Sequence, residues 1–216
     1  MVEFYNKQDK DVSIIFGQCL MMDSNLKEIK EKYIKVEKAK VFNKMTAVEQ
    51  FRILSSHCFA AMGACMLDVS ILRQEKKFDE RLKYIEDWPY FLKTTLNNHR
   101  MIFLNYNCLL HRDGGISHSD DINEIRIGFV NDLLRQFEIF VFPNFKKLKT
   151  EEKNMALDFY LGNRNYLINN NCDYNPREYK KFQRRNLLFL IRRKLKKNRF
   201  VFNRIKINRK TGDSID

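Results

Sequence analysis

FDERLKYIEDWPYFLKTTLNNHRMIFLNYNCLLHRDGGIS, residues 78–117, is the stretch on which the reading of the fold turns. Phe78 and the acidic pair Asp79-Glu80 lead, five residues on, to a second acidic pair, Glu86-Asp87, followed at once by Trp88-Pro89. Pro89 suits the first position of a helix, where the N–H that proline lacks would have no partner anyway. Tyr90, Phe91, Leu92 and Leu96 carry that helix's apolar residues. Met101 to Leu104 and Cys108 to Leu110 then read as two short strands around a turn at Asn105-Tyr106-Asn107. The stretch closes on a basic, glycine-containing loop, His111-Arg112-Asp113-Gly114-Gly115-Ile116-Ser117. Carboxylates near a loop able to hold phosphate oxygens suit transfer chemistry on a phosphorylated donor.

Towards the N-terminus, Val12-Ser13-Ile14-Ile15-Phe16-Gly17 is β-branched and apolar and reads as a short strand closed by Gly17. Residues 25–38 form a marginal amphipathic segment with Leu26, Ile29, Tyr33 and Val36 on one side. Thr46 opens a stronger helix through Val48, Phe51, Ile53 and Leu54, and Gly63-Ala64-Cys65-Met66-Leu67 reads as a strand entering a turn. Beyond the loop the pattern turns helical, over 122–141 up to Pro143 and again over 151–169. The expected fold class is α/β. The expected organisation is a mixed-sheet domain over 1–118, a helical extension over 119–175 and a basic amphipathic tail over 176–216.

Composition sets the outer bounds. A chain of 216 residues with 44% apolar and 13% aromatic content can bury one proper core. Only 7 Gly and 3 Pro leave little room for long linkers. The five cysteines (Cys19, Cys58, Cys65, Cys108, Cys172) are odd in number and contain no Cys-x-x-Cys pair, so reduced thiols are expected. No run approaches the length of a membrane-spanning helix, and the N-terminus lacks a signal-peptide layout, which points to the cytoplasm. The net charge of +13 is concentrated: residues 176–210 hold 15 Lys and Arg against one acid, Glu178. The remaining residues are nearly balanced, with 25 basic against 26 acidic. That asymmetry bears on partners rather than on fold.

Taken alone, Asp87 reads first as a cap on the Pro89 helix. Its spacing to Phe78-Asp79-Glu80, Trp88-Pro89 and the HRDGGIS loop carries more weight. Over roughly residues 10–145 the chain resembles the acceptor-side part of a family 2 glycosyltransferase, whose members show a glycine-containing strand, here Gly63-Ala64, then "FDE", a short spacer and "ED". A helix, a β-hairpin and a "YR…GS"-like loop follow in the family. The resemblance implies a partial GT-A, Rossmann-like sheet with flanking helices, and an inverting transfer with Asp87 as catalytic base. It implies that Glu86, Asp79, Glu80, Trp88 and Gly63 shape or support the acceptor site. It places Arg112 beside the donor diphosphate, assisted by His111, which stands where the family more often has Tyr, and by the Gly114-Gly115 backbone.

The same resemblance implies a nucleotide-sugar donor, a glycan or lipid-linked acceptor in surface polysaccharide or glycoconjugate assembly, and a divalent cation, Mg²⁺ or Mn²⁺. The family's metal-binding Asp-x-Asp normally follows a nucleotide-binding βαβ unit, and the chain is expected to open just after it. Asp9-Lys10-Asp11 has the spelling, but it precedes a strand and its lysine would repel a metal, so a solvated turn is the reading there. Asp120-Asp121 is read as a helix cap, and His57 and His118 have no partner at ligand spacing. A chain with half of its central sheet would also expose a strand edge.

The tail alternates cationic clusters with Leu187-Leu188-Phe189-Leu190-Ile191. It reads either as an interfacial helix drawn to anionic lipid on the inner face of the membrane or as a solvated basic tail. Nucleic acid ranks below both, because no recognised binding motif accompanies the charge. Two readings of the whole chain stay open: a glycosyltransferase, or a non-catalytic remnant or accessory module that binds acceptor, membrane or a partner.

Overall fold

In the computed structural model, residues 1–23, 25, 27, 34–74, 78–112, 124–172 and 177–196 are described, Arg112 and Arg177 by their main chain. The chain divides into two units, Met1–Tyr174 and Asn175–Asp216.

The first unit is built on β1 (Val12–Met22), whose residues are buried without a break from Val12 to Cys19. A continuous apolar run of this kind marks a strand covered on both faces. β1 is the centre of a three-stranded mixed sheet, flanked by β2 (Cys65–Leu67), antiparallel, and β3 (Arg100–Arg112), parallel. The protein is therefore α/β, with a small sheet and a majority of helix.

Two expectations about these strands are corrected. Gly17 does not close β1, which runs on to Met22. Asn105-Tyr106-Asn107 is not a turn between two strands but the middle of one strand, β3. The two corrections share a cause. Opposite Gly17 the register slips, from Phe16↔Phe103 to Gln18↔Asn107, so β3 bulges across the glycine. A Cβ at Gly17 would lie 2.1 Å from the Cys108 sulfur and 2.8 Å from the Tyr106 carbonyl oxygen, so only glycine admits this approach.

The helices of this unit are α1 (Val2–Tyr5), α2 (Val36–Asn43), α3 (Ala47–Leu54), α4 (Val69–Gln74), α5 (Asp87–Leu96), α6 (Glu124–Gln136) and α7 (Thr150–Asn169). α3 starts as expected: Thr46 and Glu49 form a reciprocal capping box. Of the amphipathic segment expected over 25–38, the described helix is α2, which begins only at Val36; residues 28–33 lie outside the described residues. Pro89 is the third residue of α5, not the first. It is tolerated because the first four N–H groups of a helix have no intrahelical partner. α6 continues into a π-turn over Phe137–Val141 before Pro143.

Aromatic packing fixes the layers. Phe16 meets Phe42, Phe59 and Phe103 at ring separations of 6.0, 5.7 and 5.6 Å, which clamps α2 onto the sheet. Trp88, Phe137, Phe159 and Tyr160 form a second cluster joining α5, the π-turn and α7.

The outer edge of β3 is covered by side-chain amides. Asn43 donates to the Phe103 carbonyl (2.9 Å) and accepts from its N–H (2.7 Å). Gln50 does the same for Met101, at 2.8 Å in each direction, and also donates to Phe42 O at 3.1 Å. Met101 and Phe103 are alternate residues, so the two amides stand where a neighbouring strand would stand. At Met101 and Phe103 the edge is closed in this way, while residues 105–107 of β3 are exposed. Gln18 makes an equivalent pair of bonds with Ile34, at 2.7 and 3.1 Å.

The second unit is described over α8 (Arg177–Arg185), where Tyr179 stacks on Phe182, and over a further helical run at 187–196. Among the described residues no helix is long and apolar enough to cross a membrane.

Candidate active site

Asp87 is the first residue of α5, after Glu86 as its N-cap. Buried Leu82 and Ile85 anchor the preceding loop, and Phe78 packs on Tyr90 at 4.9 Å, so the loop delivers Asp87 to one place. Trp88 fixes the helix behind it: its indole N–H donates to Leu54 O at 2.6 Å, and its ring meets Phe159 edge-on at 5.5 Å. Trp88 is buried, so it supports the site and offers no face to an acceptor.

The Asp87 carboxylate accepts the backbone N–H of Trp88 at 2.7 Å, and the Met62 main chain, from the turn at Met62–Ala64, favours its charged form. Burial pushes its carboxyl above the usual aspartate value. The Trp88 N–H opposes that push, and the neighbouring charge of Glu86 adds to it. Two thiols stand close by. Burial raises Cys58 well above the ordinary thiol value and Cys65 to about 12, and the negative charge of Asp87 adds to both shifts. Both therefore stay protonated at neutral pH. They donate weakly to main-chain oxygens, Cys65 to Ala61 O at 3.2 Å and Cys58 to Ala60 O at 3.5 Å. The arrangement is a carboxylate oriented by the Trp88 amide, beside neutral sulfur and apolar chain. Such a group holds a proton more readily than a solvated aspartate, which suits general-base work.

Gly63 joins this turn to the sheet, since a Cβ there would come within 3.2 Å of the Leu109 side chain. Cys108, which couples electrostatically to Cys65, lies four residues before Arg112 on β3, a span of about 13 Å. His111 pairs in register with Met21 and is half-buried; the Arg112 main chain pairs with Met22. These are the carboxyl ends of the two parallel strands, where open α/β sheets hold their ligands. The Arg112 side chain, Gly114 and Gly115 lie outside the described residues, as do His118 and Asp120-Asp121.

Asp79 and Glu80 are not brought to Asp87. Asp79 is gripped by Arg81 through two bonds of 2.8 and 2.6 Å, which hold its carboxyl below the usual range. Together with Glu80, Lys93, Leu96, Asn97 and Phe140 they line a groove of about 610 Å³. It lies beside the C-terminal half of α5, whereas Asp87 begins the helix. Glu86 is adjacent to Asp87 and exposed. His57 packs on Phe59 at 6.0 Å.

Asp9 and Asp11 lie in an exposed turn, as expected, closed by the Val12 N–H on Asp9 O at 3.0 Å. Both close on Arg100, at 2.8 Å from Asp9 and 2.6 Å from Asp11. Their charges are answered by a guanidinium, so they do not fit a divalent cation. Among the described residues no group of three or more His, Cys, Asp or Glu is placed to hold a metal.

Met62, Cys58 and Cys65 belong to the setting of Asp87, and sequence reasoning did not single them out for it. The only signal was Gly63-Ala64, which marks a close-packed turn without saying what packs there. Comparison of the chain with models of protein families, with curated proteins and with solved structures finds no match.

Proposed function

We propose that this chain is the acceptor-side part of an inverting glycosyltransferase of the family 2, GT-A type. Asp87 takes the proton of an acceptor hydroxyl, and the resulting oxygen attacks the anomeric carbon of a nucleotide sugar. The bond from that carbon to the diphosphate breaks, and the nucleoside diphosphate leaves with the electron pair. Arg112, His111 and the Gly114-Gly115 backbone receive its charge. The family resemblance calls for Mg²⁺ or Mn²⁺ at the diphosphate; Asp9 and Asp11 do not suit it, and no step here is routed through a metal. The observation that carries this reading is the setting of Asp87: a half-buried carboxylate, raised by burial and aimed by the Trp88 main-chain amide.

The test is release of nucleoside diphosphate from a panel of nucleotide sugars in the presence of glycan and lipid-linked acceptors. The chain should turn over at least one donor. Asp87→Asn should lose the rate by about 10²-fold or more while nucleotide-sugar binding persists. An Asp87→Asn protein that transfers at the parental rate removes Asp87 as base. A second reading, an accessory module without turnover, is favoured by one observation: Asp79 and Glu80 line a separate groove with Lys93 rather than joining Asp87. Binding of acceptor glycan with no turnover of any donor would select it.

A further inference from the structure

We infer that the helical run at 187–196 is a docking surface for an anionic lipid bilayer, lying flat on the headgroups with one apolar stripe inserted. This inference is independent of the proposed transfer reaction.

The described residues of this run place Leu187, Leu188, Ile191 and Leu195 in solvent, at 57, 73, 46 and 57% exposure. These are large aliphatic side chains, and exposure of four within ten residues is a cluster rather than scatter. At about 100° of turn per residue they fall within a single arc of about 100°. Lys194 lies about 20° outside one margin of that arc, and Arg192 about 40° outside the other. Lys196 follows on Arg192's side, and exposed Arg184 and Arg185 end the preceding helix, α8. From Tyr179 to Lys196 there is no acidic residue. The stripe is thus bordered on both sides by cations with no acid of its own segment to neutralise them.

Charge and shape together select the occupant. Aliphatic side chains flanked by Lys and Arg match a surface that is apolar within and anionic at its boundary, as a bilayer with acidic headgroups is. Lysine and arginine stems can also lie along the apolar margin while their heads reach phosphate. Nucleic acid would meet the cations equally well but gives Leu187, Leu188, Ile191 and Leu195 nothing to bury against, since single strands are held by stacking on aromatic faces. The run is too short to span a bilayer, so the contact is interfacial.

The test uses the full chain and sedimentation with vesicles of phosphatidylcholine alone or of equal parts phosphatidylcholine and phosphatidylglycerol. The chain should bind the anionic vesicles and bind the neutral ones at least about 30-fold more weakly. Leu188→Glu combined with Ile191→Glu should weaken anionic binding by about tenfold or more. Arg192→Gln combined with Lys194→Gln should weaken it by about 30-fold. Leu188, Ile191, Arg192 and Lys194 are all exposed, so circular dichroism and the thermal midpoint should stay at the parental values; a variant that loses them is replaced by Leu187→Ser with Leu195→Ser. Equal binding to both vesicles, no binding, or a stripe variant that binds like the parent overturns the proposal. So does tighter binding to a mixed-sequence RNA than to anionic vesicles, unchanged by the stripe variant, which would assign the cations to nucleic acid.

Discussion

Gln50 offers the sharpest test of how this fold is held, because one side chain answers three main-chain groups. It is fully buried, its amide nitrogen donates to Met101 O (2.8 Å) and Phe42 O (3.1 Å), and its oxygen accepts Met101 N–H (2.8 Å). Leucine at this position is similar in size and makes none of these bonds. Phe42 O keeps the Met45 N–H at 3.1 Å, so two groups are stranded at about 1–3 kcal/mol each, and Gln50→Leu should lose roughly 2–6 kcal/mol. That is a large share of the roughly 5–15 kcal/mol by which a domain is stable. Urea unfolding followed by fluorescence is the assay, since Trp88 is the only tryptophan and is buried in the same unit. Gln50→Glu separates donation from packing. It keeps the acceptor for Met101 N–H, loses both donors, and adds the desolvation of a carboxylate at neutral pH. Its deficit should shrink as the pH falls and the carboxyl gains a proton to donate. A loss below about 1 kcal/mol for Gln50→Leu would refute the view that side-chain amides replace a strand at the β3 edge.

Three further outcomes are expected. Gly17→Ala, whose Cβ would meet the Cys108 sulfur at 2.1 Å and the Tyr106 carbonyl at 2.8 Å, should cost about 1–3 kcal/mol or more in urea unfolding; adding Cys108→Ala should restore only part, because the carbonyl remains. Trp88→Phe leaves Leu54 O without its 2.6 Å donor and should cost about 1–3 kcal/mol, read from the thermal midpoint. Arg100 holds the Asp11 carboxyl below its usual value, so the pair stabilises the fold above the ordinary aspartate range and that contribution fades as the pH falls through the lowered value. Arg100→Met should therefore flatten the acid limb of the stability–pH curve, and an unchanged limb would count against the pairing.

Local signals carried the reading where structure is local. Thr46 and Glu49 sit three residues apart, and the helix they cap forms where the pattern places it. The apolar run from Val12 likewise marks the buried strand. The failures are long-range. Asn105-Tyr106-Asn107 spells a turn, yet pairing with β1 keeps the strand extended, and what permits it is Gly17, far away in sequence. Asp9 and Asp11 form the exposed turn their spelling suggests, but the Arg100 that pairs with them arrives from β3, far away in sequence. The site follows the same rule. Asp87 was visible as the head of a helix, whereas the Met62 main chain and the thiols of Cys58 and Cys65 arrive from a separate turn that no spacing connects to it. Asp79 and Glu80 look adjacent to Asp87 along the chain, but Arg81 turns Asp79 into another groove.

A base-competent Asp87 must be a carboxylate lifted by burial, and the ¹³Cγ chemical-shift titration of that residue in the folded chain tests this without any substrate. Burial should place its midpoint above the ordinary value of 3.8. The fold then holds a proton on Asp87 that the unfolded chain has released, so the charged form costs stability as the pH rises, at about 1.4 kcal/mol for each unit of elevation. A midpoint at or below 3.8 would mean that the Trp88 amide and the Met62 main chain outweigh burial, and would contradict the assignment of Asp87 as a raised, base-competent group.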